Sequence, residues 1–148
     1  MKQLKLVFFL ISSVLLINCS NEEEISDIGA KVYQLQSVTN PAILGKVTMT
    51  RNSNGSATLL VELNGTSTDV HPVYIYYNSL DQGGPIAITL NTIDCECEFS
   101  STVVSKLDNG NIISYDELLT FNGHLKVHKN SNEIDVILLQ GNIGSNED

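Results

Sequence analysis

Hydrophobic and polar positions alternate with period two along most of the chain, beginning at Val32-Tyr33-Gln34-Leu35-Gln36. Such alternation is the mark of a strand buried on one face, because successive side chains point to opposite sides of a sheet. A second strand is predicted from about Leu44 to Arg51, with Val47 and Met49 on one face and Lys46, Thr48 and Thr50 on the other. A third runs from Ala57 to Leu63 and sends Ala57, Leu59, Val61 and Leu63 inward. Asn52-Ser53-Asn54-Gly55 joins these two as a hairpin turn, since Asn-Gly tolerates the positive φ of a tight reversal. Further strands are predicted at Val73–Asn78, Ile86–Leu90, Thr102–Val104, His124–His128, and from Ile134 to Gln140 ending in Gly141-Asn142-Ile143-Gly144. One helical turn interrupts them at 114–119, where Ser114 followed by Glu117 makes a capping box. The expected fold is all-β, a Greek-key sandwich or barrel of about eight short strands.

The stretch His71-Pro72-Val73-Tyr74-Ile75-Tyr76-Tyr77 has the sharpest chemistry. Val73, Ile75 and Tyr77 share one face, and Tyr74 and Tyr76 share the other. These tyrosines are either packing residues or ligand contacts, tyrosine being favoured at interfaces. The chain has three histidines, His71, His124 and His128. His124, Lys126 and His128 fall on one strand face, where the lysine would repel a cation. Surface or half-buried histidines are expected there, with a weak copper or zinc site as the alternative.

The N-terminus reads as an address. Lys2 and Lys5 precede an apolar run from Leu6 to Ile17, broken only by Ser12 and Ser13. That run is shorter than the roughly 20 residues a membrane-crossing helix needs, so residues 1–18 read as a signal peptide. Leu16-Ile17-Asn18-Cys19 resembles the lipobox of bacterial lipoproteins, in which the cysteine becomes the acylated first residue of the mature chain. Residues 19–30 form an acidic tether, and Asn21-Glu22-Glu23-Glu24 resembles a short acidic signal that sends some lipoproteins to the cell surface. A merely solvated spacer is the other reading of that run. The expected location is the outer membrane of a Gram-negative bacterium, lipid-anchored and facing the surface.

Removing Lys2 and Lys5 with the leader leaves six basic against seventeen acidic residues, a net charge of −11. With Arg51 as the single arginine and no basic run, nucleic acid is excluded as a partner. The remaining length suits one domain at 31–144, with 145–148 as a tail.

The order of motifs also carries a resemblance. His71-Pro72-x-x-Ile75, Gly83-Gly84-Pro85-Ile86-x-x-x-Leu90, Ser114-Tyr115-Asp116-Glu117-Leu118, Gly123-His124-Leu125-Lys126-Val127-His128 and Gln140-Gly141-Asn142-Ile143-Gly144 together resemble the CHRD domain. That family is similar in structure to copper/zinc superoxide dismutase. The resemblance implies a metal-binding Ala-His-Ile-His strand where this chain has Val73-Tyr74-Ile75-Tyr76, and a Val-His strand at Val127-His128. Only His128 of those three ligand positions is a histidine. The expectation is a scaffold without the catalytic metal, no cofactor and no enzyme activity.

Cys95-Glu96-Cys97 admits a disulfide, a free thiol pair or a soft-metal pair. Flanking carboxylates raise thiol pKa values and argue against a catalytic cysteine, and residues two apart lie near the distance limit for a disulfide. Two functions remain: a non-catalytic binding or structural module for a protein or glycan ligand, or a metal-handling or residual redox protein using His71, His128 and the cysteines. The address is directly testable. Cys19→Ser should move the protein from the membrane fraction to the soluble one, as immunoblotting of fractionated cells would report; full retention in the membrane would refute lipidation.

Overall fold

Turn chemistry sets the first three strands. The computed structural model describes residues 29–65, 69–94 and 97–147. In it β1 (Ala30–Ser37), β2 (Leu44–Arg51) and β3 (Ala57–Asn64) form an antiparallel meander. Between β2 and β3, Gly55 takes φ 82°, its N–H donates to Asn52 O, and Asn54 Oδ1 accepts from the Ser56 amide. The side chain of Asn54 thus closes the turn that the Asn-Gly pair predicts.

The remaining strands are β4 (Val73–Tyr77), β5 (Ile86–Thr89), β6 (Phe99–Val104), β7 (Asn122–His128) and β8 (Ile137–Gly144). All eight join in one curled antiparallel sheet in the order β5-β4-β7-β8-β1-β2-β3-β6. The connections from β3 to β4 and from β6 to β7 cross between distant parts of the sheet, which makes the topology Greek-key. The concave face holds the core, including Val47, Met49, Leu59, Val61, Val73, Ile75, Leu125, Val127 and Leu139. At the open seam between β5 and β6, Asn91 donates to Thr102 Oγ1 at 2.9 Å and to Ser101 O at 2.7 Å. These bonds occupy part of an otherwise unpaired edge.

The helical turn α1 (Tyr115–Leu119) plugs one end of the curl. Both halves of its capping box form, with Ser114 Oγ accepting from the Glu117 amide and the Glu117 carboxylate accepting from Ser114 N–H. Tyr115 and Leu118 are buried. The Arg51 guanidinium lies over the Tyr115 ring, 4.6 Å from its centroid, and grips both carboxylate oxygens of Asp116. An exposed ion pair adds little by itself, but the fork and the stacked ring together fix α1 against β2.

Two boundaries differ by three residues from the sequence expectation. β6 begins at Phe99, not Thr102, and β8 begins at Ile137, not Ile134. The segment before β8 alternates like a strand, yet Asn130 Oδ1 captures the amides of Asn132 and Glu133, and Lys129 N–H closes the loop onto Val136 O. Local side-chain acceptors outcompete the ladder there. Residues 145–147 fold back, with Asn146 Nδ2 donating to Asn122 Oδ1 and Lys31 paired with Glu147.

Leu125 is fully buried at the centre of β7. Leu125→Ala should lower the unfolding free energy by about 2–5 kcal/mol in urea denaturation, while Val103→Ala, at a residue 65% exposed on β6, should change it by less than about 0.5 kcal/mol.

Candidate functional site

β4 and β7 are antiparallel neighbours, with Tyr74 opposite Lys126 and Tyr76 opposite His124. Directly opposed residues share a face. Tyr74, Tyr76, His124, Lys126 and His128 therefore gather on the convex side of the sheet, while Val73, Ile75, Leu125 and Val127 enter the core. Tyr77, on the core side, packs against Phe121.

The cluster is tightly specified. Tyr76 hydroxyl and His128 Nε2 are 2.9 Å apart. The Tyr76 ring stacks on His124, with centroids 5.1 Å apart and planes 9° from parallel, and Lys126 Nζ lies 5.2 Å from the Tyr76 centroid. Tyr74 meets His128 edge-on at 5.4 Å and Tyr76 at 6.2 Å.

Backbone carbonyls fix the tautomers. His128 Nδ1 contacts Ile134 O, and His124 Nδ1 lies 2.7 Å from Asn78 O. A carbonyl can only accept, so each Nδ1 carries the proton and each Nε2 presents a lone pair. The phenol of Tyr76 must then donate to His128 Nε2. His124 Nε2 is buried and has no hydrogen-bond partner among the described residues.

The three histidines are buried, at 0% exposure for His71, 0% for His124 and 4% for His128, which corrects the expectation of surface or half-buried residues. The reason is coverage. The loop after β4 reaches over the face through Asn78 and through Leu80, whose amide donates to Asn142 Oδ1, and the loop after β7 reaches it through Ile134. His71 bridges to Ile93 in the backbone and sets its Nδ1 2.5 Å from Lys129 O.

Burial dominates the electrostatics. It lowers the pKa values of His124 and His128 below the ordinary imidazole value, assisted by the Lys126 charge and opposed by the carbonyl bonds. It also raises the Tyr76 pKa, with Tyr74 adding to the effect. At neutral pH the rings are uncharged, and the donor set does not fit tightly held copper or zinc. A phenol must lose a proton to ligate well, and the one lone pair at a resemblance-implied ligand position, His128 Nε2, is engaged by Tyr76. Among the described residues no group of three His, Cys, Asp or Glu side chains is arranged to hold a metal ion.

Cys97 is exposed and lines a groove of about 420 Å³ with Leu44, Lys46, Glu62, Leu63 and Phe99, on the β1-β2-β3-β6 half of the sheet. Cys95 and Cys19 lie outside the described residues, so neither the cysteine pair nor the lipidation site can be placed.

No protein-family profile, curated protein or solved structure matches the chain.

Sequence reasoning singled out Tyr74, Tyr76 and His128 but passed over Lys126, Gln140 and Gln36 as ligand contacts. Gln140 lies opposite Lys126, and Gln36 lies opposite Gln140, so all three join the same face. Period two marks each of them as outward-facing; the strand pairing that unites them is the signal a linear pattern lacks.

Both cluster histidines bind protons more weakly when folded than at the ordinary unfolded value of about 6.5. Stability is therefore full above that pH and is lost progressively as the pH falls below it toward the depressed folded values. The melting temperature should drop between about pH 7.5 and about pH 5.5, and His128→Gln should flatten that slope. Asp116, Glu117 and Glu133, whose pKa values are lowered, contribute their own losses only in more acid solution. An unchanged slope in the variant would show that His128 is not the group titrating.

Proposed function

We propose that the protein is a lipid-anchored, non-catalytic binding module of CHRD-like fold, held at the outer membrane and facing the cell surface, which contacts a protein or glycan ligand through the convex face of β4 and β7. One observation carries this reading: Tyr76 donates its proton to His128 Nε2, so the lone pair that a metal would use serves a neutral, preformed aromatic surface. The strand order supports the resemblance to the dismutase-like pattern, because β4 and β7 are neighbours as shared metal ligation on those strands would require. What differs is the chemistry mounted on that frame, phenols in place of imidazoles.

The rival reading, a metal-handling or residual redox protein, draws on the Nδ1 contacts of His71 and His128 to carbonyls, an arrangement common among histidine ligands. Metal analysis separates the two. The purified protein should carry no stoichiometric copper or zinc and should not dismutate superoxide. Tyr74→His combined with Tyr76→His should create copper affinity measurable by calorimetry, and the same pair changed to phenylalanine should not. Tight stoichiometric metal in the unmodified protein would overturn the binding-module reading.

A further inference from the structure

Five strands place one residue each in a single cross-strand row on the convex face. Thr89 on β5 lies opposite Tyr74 on β4, Tyr74 opposite Lys126 on β7, Lys126 opposite Gln140 on β8, and Gln140 opposite Gln36 on β1. Neighbouring strands are about 4.8 Å apart, so the row is a track about 19 Å long running across the strands. Thr89 and Gln36 are exposed, and Tyr74, Lys126 and Gln140 are half-buried. Hydroxyl, phenol, ammonium and two amides follow one another along it.

The charge on this track has no ion-pair partner among the described residues. Among the described residues, Lys31, Lys46, Arg51 and Lys129 each have a carboxylate partner within an ion pair, whereas Lys126 and Lys106, the latter outside the row, do not. The Lys126 ammonium instead sits against the face of Tyr76, beside two histidines that burial keeps neutral. A protein with many more acidic than basic residues thus presents an unpaired cation, framed by an aromatic ring and amides, at the middle of a polar track.

We infer that this track binds a linear polysaccharide bearing intermittent carboxylates, a uronate-containing glycan, and the inference rests on the binding-module reading above. Sugar rings lie along the row, their hydroxyls bonding the Gln36 and Gln140 amides, with the apolar ring faces on Tyr74; at the β5 end the Thr89 hydroxyl already donates to Asp108 Oδ2 at 2.8 Å and offers the sugar only an acceptor. One uronate carboxylate pairs with Lys126. A single central cation selects a sparsely charged chain over a dense polyanion, and charge complementarity at that point favours a glycan carboxylate over a neutral sugar.

The test is titration calorimetry of the full-length protein with a hyaluronan-type tetrasaccharide and with its carboxyl-reduced, neutral counterpart. The acidic form should bind about tenfold or more tightly, the equivalent of one hydrogen bond to a charged group. Lys126→Met should erase that difference, with an unchanged circular dichroism spectrum and melting temperature showing the variant to be folded; Lys126→Arg should restore preference for the acid. Gln36→Ala should weaken both forms. Equal binding of the two forms by the unmodified protein, no binding of either, or binding that rises with charge density to a maximum for heparin would each overturn the inference. Retained binding of a neutral glycan or captured protein that Tyr74→Ala abolishes would leave the binding-module reading standing while the uronate inference falls.

Discussion

The exchange of partners along β1 shapes everything else. From Ala30 to Leu35 the strand pairs with β2, and at Gln36 and Ser37 it pairs with β8. One strand thereby belongs to both halves of the sheet and forces the curl that encloses the core. The exchange needs glycine on either side. A Cβ on Gly45, which is opposite Leu35, would stand 2.3 Å from Leu139 Cδ1, and one on Gly141 would stand 2.9 Å from Gln34 O. At Gly141 the obstacle is backbone, and at Gly45 it is the tip of the fully buried Leu139, which would have to move within the core, so glycine at these two positions lets β2 and β8 converge on the same stretch of β1 without displacement. With β8 held there, β7 and then β4 follow by pairing, and the convex face that carries Tyr74 and His128 is set.

On that face the same sheet geometry can serve two different chemistries. Opposed imidazoles on β4 and β7 would project converging lone pairs, an arrangement suited to a cation. Phenols at 74 and 76 instead project a donor and a ring face. Tyr76 uses both at once, its hydroxyl on His128 and its ring on His124. Burying a neutral imidazole costs far less than burying a charged one, and a donor for Nε2 reduces the cost further. His124 lacks that second partner among the described residues and is covered by the ring instead. The cluster is consequently rigid and uncharged apart from Lys126, properties that favour a preformed contact surface.

Local features were legible in the sequence, and non-local ones were not. The bounds of β2 follow from alternation ended by the Asn52–Gly55 turn, and α1 follows from Ser114 and Glu117 alone. Ile134-Asp135-Val136 alternates just as convincingly, but the Asn130 side chain and the Ile134 carbonyl are committed to a loop and to His128, neither of which a pattern can reveal. The histidines were misjudged for a related reason. Period two correctly assigns His124 and His128 to the convex side, yet their burial comes from Asn78 and Ile134, brought over by loops. The grouping of Tyr74, Tyr76 and His128 was reached only through a family resemblance, because the pairing of β4 with β7 spans about fifty residues of sequence and local physics does not specify it.

Net charge and the Lys126 track pull in opposite directions, and distance decides between them. The excess of carboxylates repels any anion approaching from afar, but at physiological ionic strength charges separated by more than about 8 Å are largely screened. A contact pair at Lys126 is far inside that length and partly shielded from water by the Tyr76 ring, so its attraction survives while the long-range repulsion fades. The balance depends on how anions are spaced along the ligand. A chain with adjacent charged groups brings several into the acidic field for each one that reaches the lysine, whereas a chain whose carboxylates are separated by neutral rings brings one. An unpaired cation in an acidic protein is therefore suited less to trapping anions than to filtering them by charge spacing, which is the property the proposed uronate contact requires.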